Sequence, residues 1–552
     1  MRVKDGKQRI LTAMFSGVSL LAAACSGGDS SPASIATGPE IAPPPTPTAL
    51  VPTFEANVFQ PSTDFVAQCE TVRTGTDIEG NTFPDSTGST LLENFWLRSW
   101  TEETYLFNDE VVDQDPALFD DRLDYFAELR TTATTASGED KDDFHFSQPT
   151  EDFLASRNSA ASASYGISLI ALSTSPPRDF RVRYTEPNSP ATEETLGETN
   201  LIRGTRILEV DGVDLVSASS DADIEVLNAG LFPQTVGERH RFVVQDPGST
   251  ETRIIDLTSV GLAPNPVNRF SIIDTPTGRV GYVLFNTFGP FSSERQLAQT
   301  FTSLSNEGVS DLVLDIRYNG GGLLAIAAQL GYMIAGPDQT DGRVFEALRF
   351  NTPFSATNPV TGESNSPTPF FDEGLGFSLS TGVDLDSLDL PRVFVLSTGR
   401  TCSASESVIN SLVGIGVDVI LIGDTTCGKP FGFFPTDNCG ETYFTIQFQG
   451  VNDAGFGDYT DGFVPSNSTF PFGVKLDGCV VADDLDNELG DPAEALLAAA
   501  LEYRETGTCP VAAPAPLTAP TSSAAAARPV GRPLLLPKGG VMDANRDMSM
   551  PN

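Results

Sequence analysis

Between about Asn268 and Asp424 the chain alternates continuous apolar runs with segments of helical period, and this alternation restricts the fold more than any other feature. GRVGYVLFNTF, DLVLDI, PRVFVLST and VDVILIGD read as strands; SERQLAQTFTSLSNEG (ending at Gly308), GLLAIAAQLGYMIAG and SASESVINSLVG read as helices. Strands without a polar face, separated by helices, predict a sheet covered on both sides. DPAEALLAAALEYR then predicts a closing helix. The expected class for this part is α/β, within a chain whose 552 residues suggest about three domains.

The segments before and after it differ in texture. Arg2, Lys4, Lys7 and Arg9 open the chain, and an apolar stretch from Ile10 to Ala24 follows, too short to span a bilayer stably. It ends in LLAAAC, which resembles a bacterial lipoprotein signal with Cys25 as the lipidated residue, although Ala22 stands where leucine is commoner. That resemblance implies a signal over 1–24 and an exported, periplasmic protein anchored to the outer membrane. Residues 25–61 are rich in Ser, Pro, Ala and Thr and read as an extended tether. Over 62–158 the pattern is mainly helical, as in ENFWLRSWTEETYLF and DDRLDYFAELRT, and the DFHF run with His145 reads as aromatic packing. After Cys509 the sequence is Ala- and Pro-rich, and 510–552 is expected to be a disordered tail.

From 159 to 262 the pattern turns to short strands: YGISLIAL, FRVRYTE, TRILEVDGVDL, HRFVVQD and TRIIDLT. These residues resemble a PDZ domain. YGISL matches its carboxylate-binding loop and first strand, and GTRILEVDGVDL matches its G-D-x-I-L-x-V-N-G hairpin. The resemblance implies capture of peptide C-termini by strand addition, with Tyr165, Gly166 and Ile167 at the binding loop.

Charge and cysteines narrow the partners. A formal net charge of −41 repels nucleic acid and anionic lipid surfaces, and loss of residues 1–24 would leave about −44. Apart from Cys25 there are six cysteines: Cys69, Cys402, Cys427, Cys439, Cys479 and Cys509. In an exported protein they favour disulfides; six allow fifteen connectivities, and Cys427 and Cys439 lie close enough in sequence to close a local loop. Their spacing fits no zinc pattern, and two histidines in the whole chain supply a metal site poorly. No metal or organic cofactor is expected.

RTCSASES, residues Arg400 to Ser407, lies between a strand and a helix. Ser403 and Glu406 fit a capping box, and Ser403 also fits a nucleophile at a helix N-terminus. A serine hydroxyl needs a base. His145 and His240 both lie in other regions, whereas Lys429, in GDTTCGKP, follows Ser403 by one helix and one strand, a unit that returns the chain to the same sheet edge. A buried lysine can be neutral and act as the base. GDTTCGKP also approaches a phosphate loop, but Pro430 replaces the required Ser or Thr. In LDIRYNGGGLL, Gly320, Gly321 and Gly322 follow a buried strand and open a helix, a turn suited to an oxyanion hole or to no ligand at all.

Taken in order, L-D-x-R-x-N-x-G-G-L, S-A-S-E and G-K, behind a PDZ-like segment, resemble the C-terminal processing or tail-specific proteases of peptidase family S41, over roughly residues 90–505. The resemblance implies a crotonase-like α/β core over 263–509 and a Ser403–Lys429 dyad. It also implies an oxyanion hole from the backbone of Ala404 and Gly322, with Gly321 as a further donor. The expected activity is hydrolysis of peptide bonds in C-terminal or unfolded segments; the alternative is a peptide-binding lipoprotein of the same fold without turnover. Two departures stand out. Phe433 occupies a position where many members carry a lysine-orienting glutamine, a role Gln447 or Gln449 could take, and an insertion spans Asn351 to Asp384.

Overall fold

The computed structural model describes residues 52–351, 356–510 and 546–547. Cys25, the opening apolar stretch, the tether up to residue 51 and the tail over 511–545 and 548–552 lie outside the described residues. Among the described residues no helix is long and apolar enough to cross a membrane.

The apolar runs assemble into one sheet of six strands: β1 (Val267–Thr275), β2 (Gly278–Phe285), β3 (Asp311–Asp315), β4 (Arg392–Ser397), β5 (Asp418–Gly423) and β6 (Gly478–Val480). They lie in chain order across the sheet. β1 is antiparallel to β2, and all later neighbours are parallel. Parallel neighbours need a crossover, here supplied by α1 (Ser292–Glu307), α2 (Leu324–Ala335) and α3 (Ala404–Gly414); α4 (Ala495–Thr506) follows β6. Alternate strand residues face opposite sides. Val283, Leu312, Val395 and Leu421 pack with Leu297 and Phe301 of α1, Ile326 of α2 and Val408 of α3. Tyr282, Val313, Leu396 and Ile422 pack with Leu496 and Leu497 of α4. The central strands are thus apolar on both faces because they serve two cores. α1 stops at Gly308, which takes the left-handed conformation at φ +64°.

Residues 162–262 form a separate small core. Ile167–Ser173, Asp179–Thr185, Arg206–Val210, Val213–Asp214, Arg239–Gln245 and Arg253–Thr258 make an antiparallel sheet with Ile167–Ser173 at one edge. A helix, Asp221–Leu231, packs Leu227 and Leu231 against Phe180, Val210 and Phe242. The strand-only reading did not contain it, because its apolar face is narrow among DADIEVLNAGL.

The region expected to be mainly helical, 62–158, holds three helices, Thr90–Thr104, Arg122–Glu128 and Thr150–Arg157, with long turns between them. Asp and Thr are frequent in those turns and favour local side-chain-to-backbone bonding over helix. This region is sewn to the α/β part. Phe146–Pro149 pairs with Glu441–Phe444, Tyr443 packs against Trp96 and Trp100, and Cys69 is bonded to Cys439. The expected Cys427–Cys439 loop does not form. Cys427 is bonded to Cys402, and Cys479 to Cys509. After Lys429 the chain leaves in Phe431–Gly432, which pairs with Phe448–Val451, and this carries Cys439 away towards the N-terminal region.

Candidate active site

Two turns converge at the C-terminal ends of the parallel strands, where an open α/β sheet characteristically places its ligands. β3 runs into Arg317–Gly322. Arg317 is fully buried and makes bidentate contacts with Asp315 (2.9 and 2.9 Å) and Glu494 (2.7 and 2.9 Å). Glu494 in turn caps α4 by accepting from Leu497 N–H. The turn is thereby pinned to the far core. Asn319 then ties it to the next turn: its carbonyl accepts from Cys402 N–H (3.1 Å) and Ser405 Oγ (2.9 Å), and its side chain accepts from Gly321 N–H (2.9 Å). Gly321 N–H is therefore already engaged within the turn. Gly322 sits at φ +132°, and a Cβ there would lie 2.2 Å from Gly289 N, so only glycine fits. Its strand edge, Gly322–Leu323, pairs in parallel with Arg546–Asp547.

Ser403 follows β4 and begins α3. It holds φ +59°, a conformation that non-glycine residues occupy rarely and only when surroundings enforce it. Its Oγ is buried and has no hydrogen-bond partner among the described residues. Ala404, next in line, is the first helical residue, where backbone N–H groups have no acceptor within the helix.

What enforces the Ser403 turn is Glu406. One of its carboxylate oxygens accepts from the backbone N–H of both Ser403 (3.0 Å) and Lys429 (2.8 Å); the other accepts from Gly428 N–H (2.8 Å) and Thr426 Oγ1 (2.5 Å). Glu406 is completely buried, and burial pushes its pKa up against these four hydrogen bonds. As a sequence feature it reads only as a cap; in three dimensions it registers the loop of Ser403 on the loop of Lys429. The disulfide Cys402–Cys427 spans the same two loops, with Cα atoms 5.2 Å apart.

Lys429 is also fully buried. Loss of water pushes its pKa down to about 7, against the opposing pull of Asp142 and Glu406. Its Nζ lies 4.5 Å from the ring centre of Phe144 and 4.8 Å from that of Phe433. Phe433 thus presents a ring, where a glutamine would present an amide. Of the two glutamines considered for that role, Gln447 accepts from Phe434 N–H (2.7 Å), and Gln449 donates to Gly457 O (2.9 Å). Asp142 and Phe144 come from the N-terminal region; Phe144 belongs to the DFHF run read as aromatic packing, and nothing in the sequence links either residue to Lys429. Asp142 is held there by Tyr105 Oη at 2.7 Å.

Both histidines are bonded elsewhere. His145 contacts Thr445 Oγ1 and Phe126 O and stacks on Phe126, and burial lowers its pKa to about 4. His240 pairs with Asp211. Among the described residues, cysteine and carboxylate groups that could hold a metal converge at Cys402, Glu406 and Cys427 and at Cys69, Glu93 and Cys439, but in each case the sulfurs are bonded to each other. In the small sheet, Tyr165 is buried with its hydroxyl on Gly230 O. Gly166, at φ +76°, donates its N–H to Ser164 Oγ, and Ile167 opens the edge strand.

Residues 279–437 match the model of peptidase family S41, a stretch that includes both Ser403 and Lys429. This segment is a peptidase family S41 domain. The C-terminal processing peptidase, chloroplastic, of Tetradesmus obliquus is 30% identical over 143 residues, which is 24% of this chain and 27% of that protein. The carboxyl-terminal-processing protease of a Picosynechococcus species is 24% identical over 225 residues, 41% of this chain and 45% of that protein. The matches thus span less than half the length of these two relatives. The crystal structure of a candidate S41 protease from Bacteroides fragilis covers 75% of this chain and 97% of its own at a TM-score of 0.56 and 22% identity, a shared fold that reaches well beyond the S41 domain.

Proposed function

We propose that the protein is a serine endopeptidase in which Ser403 is the nucleophile and Lys429 the general base. Ser403 Oγ attacks the scissile carbonyl, Lys429 Nζ takes its proton and passes it to the leaving amine, and water releases the acyl group. The developing oxyanion would be met by the backbone N–H groups of Ala404 and Gly322. The observation that carries this reading is a fully buried lysine with its pKa pushed down to about 7, its backbone bound to the same carboxylate oxygen as the backbone of Ser403. A neutral amine is available there near neutral pH; an ordinary lysine would be charged.

In the same reading, substrate adds as a strand. The Gly322–Leu323 edge already accepts Arg546–Asp547 in parallel, and the exposed edge at Ile167–Ser173 of the PDZ-like sheet offers a second docking strand for a C-terminal or unfolded segment. Three disulfides fit an oxidising compartment, which together with the segment ending at Cys25 supports an exported, lipid-anchored protein.

The test is hydrolysis of an unstructured peptide by the purified protein. Ser403→Ala should abolish cleavage while peptide binding persists; equal cleavage by wild type and variant would sink the assignment.

A further inference from the structure

Cys402 immediately precedes Ser403, and Cys427 lies two residues before Lys429. The bond between them is the single covalent tie between the two loops that carry the proposed dyad. The two sulfurs differ in access. Cys402 is buried (4% exposed), whereas Cys427 is partly exposed and lines a groove of about 870 Å³. We propose that Cys402–Cys427 is a thiol-exchange site at which a dithiol reductant attacks Cys427 through this groove and thereby switches the enzyme off.

The exchange balances with the reductant as the only co-reactant. A thiolate of the reductant attacks Cys427 Sγ, the Cys402–Cys427 bond breaks, and Cys402 leaves with the electron pair as a thiolate. The second thiol of the reductant then attacks the mixed disulfide, releasing Cys427 and leaving the reductant oxidised. The direction of attack follows from the surroundings. Cys402 stands at the N-terminal end of α3, where partial positive charge favours a departing thiolate. Cys427 Sγ lies 3.3 Å from a Glu406 oxygen, which disfavours negative charge on that sulfur.

Opening the bond reaches the dyad by two routes. Two unbonded sulfurs cannot sit at bonding distance, and Cys402 is too buried to turn its sulfur outward freely, so the loops are pushed apart. Ser403 is held at a positive φ by its surroundings, and a lost tie lets that turn relax. In addition, the new Cys427 thiol becomes a donor beside the Glu406 oxygen that already serves the backbone of Ser403 and Lys429, and it competes for that oxygen. Cys402 and Cys427 act through Ser403 and Lys429; they are positioning residues.

The groove also selects the reductant. Glu139, Asp140, Asp143, Asp424 and Asp461 line it against a single Lys141, so the charge facing an incoming thiol is negative. Cationic and neutral thiols should react faster than anionic ones, and salt should narrow the difference.

The inference rests on the peptidase reading for its consequence, so the experiment has a readout for each. The oxidised full chain is treated with dithiothreitol below its unfolding temperature, the bridges opened are mapped by alkylation, and both peptide hydrolysis and labelling of Ser403 by a fluorophosphonate are followed. Cys402–Cys427 should open ahead of the buried Cys69–Cys439 bridge. kcat should fall at least tenfold with little change in KM, labelling of Ser403 should slow in parallel, and reoxidation should restore both. Cysteamine should open the bridge faster than glutathione. The C479S/C509S variant should respond like wild type, and C402A/C427A should show the low activity without further response. An open Cys402–Cys427 bridge with undiminished Ser403 labelling would overturn the switch, and so would a reductant response that persists in a folded C402A/C427A variant. Opening of Cys69–Cys439 first would overturn the exchange site. Oxidised protein that neither hydrolyses peptide nor labels at Ser403 would overturn the peptidase reading instead, and the order of bridge opening would still decide where exchange occurs.

Discussion

Glu406 shows how one side chain can be written in the sequence and still be misread. Its spacing from Ser403 marks a helix cap, and it does bond to Ser403 N–H; only the fold reveals that Gly428 and Lys429, more than twenty residues on, bond to the same carboxylate. Glu406→Gln keeps the shape but turns an NH2 group towards one of these N–H donors. A buried donor without an acceptor costs about 1–3 kcal/mol, so the variant should unfold at lower denaturant, and kcat should fall by about a hundredfold as the registration of base on nucleophile is lost, a scale typical of misplaced catalytic groups.

Lys429 makes the pH dependence specific. As a base it must be neutral, and the neutral fraction grows with pH, so kcat/KM should rise through a midpoint near 7 and then level. A profile already flat at pH 6 would contradict this. Stability runs through the same group. Its folded pKa lies below the ordinary 10.5, so between about 7 and 10.5 the unfolded chain holds the extra proton and the burial penalty fades as pH rises. Lys429→Met should therefore be more stable than wild type at pH 6, by up to about 5 kcal/mol, with the difference closing by pH 10.5; urea melts at the two pH values measure it.

At the scale of elements, the α/β alternation was legible because β2 to β5 are buried on both faces, so composition tracks position. The turns were legible where glycine is compulsory, as at Gly322 and Gly308. The helix Asp221–Leu231 was not, since few of its residues reach the core. The N-terminal stretch is less helical than expected: the two quoted segments do hold Thr90–Thr104 and Arg122–Glu128, but the residues around them form turns, and aromatic residues there such as Phe144 are spent on contacts with other elements, which need no regular period. The Arg317 cluster is an element-scale device, fastening the glycine turn to Asp315 on β3 and to the cap of α4. Arg317→Met strands two buried carboxylates, Asp315 and Glu494, and should cost about 3–5 kcal/mol; a much smaller loss in denaturant unfolding would mean that the carboxylates find water or protons.

At the scale of the whole chain, cysteine pairing was beyond reach, because partners are chosen by the fold and not by spacing. Cys69 and Cys439 are 370 residues apart, and their bond clasps the N-terminal region to the strands that follow Lys429. Cys439→Ala should lower stability by about 2–5 kcal/mol. If the clasp keeps Phe144 seated over Lys429 and water out, the same variant should also move the midpoint of the kcat/KM profile upwards, towards ordinary lysine, because regained water outweighs any lost pull of Asp142; an unmoved midpoint would confine the bridge to a purely mechanical part.

The ring of Phe144 over Lys429 has a practical corollary. Part of the cover that keeps water from the amine comes from a segment that lies far upstream of residue 279, outside the S41 domain itself. A recombinant fragment trimmed to that domain would carry every motif of a hydrolase, yet leave its lysine wet, protonated and idle at neutral pH.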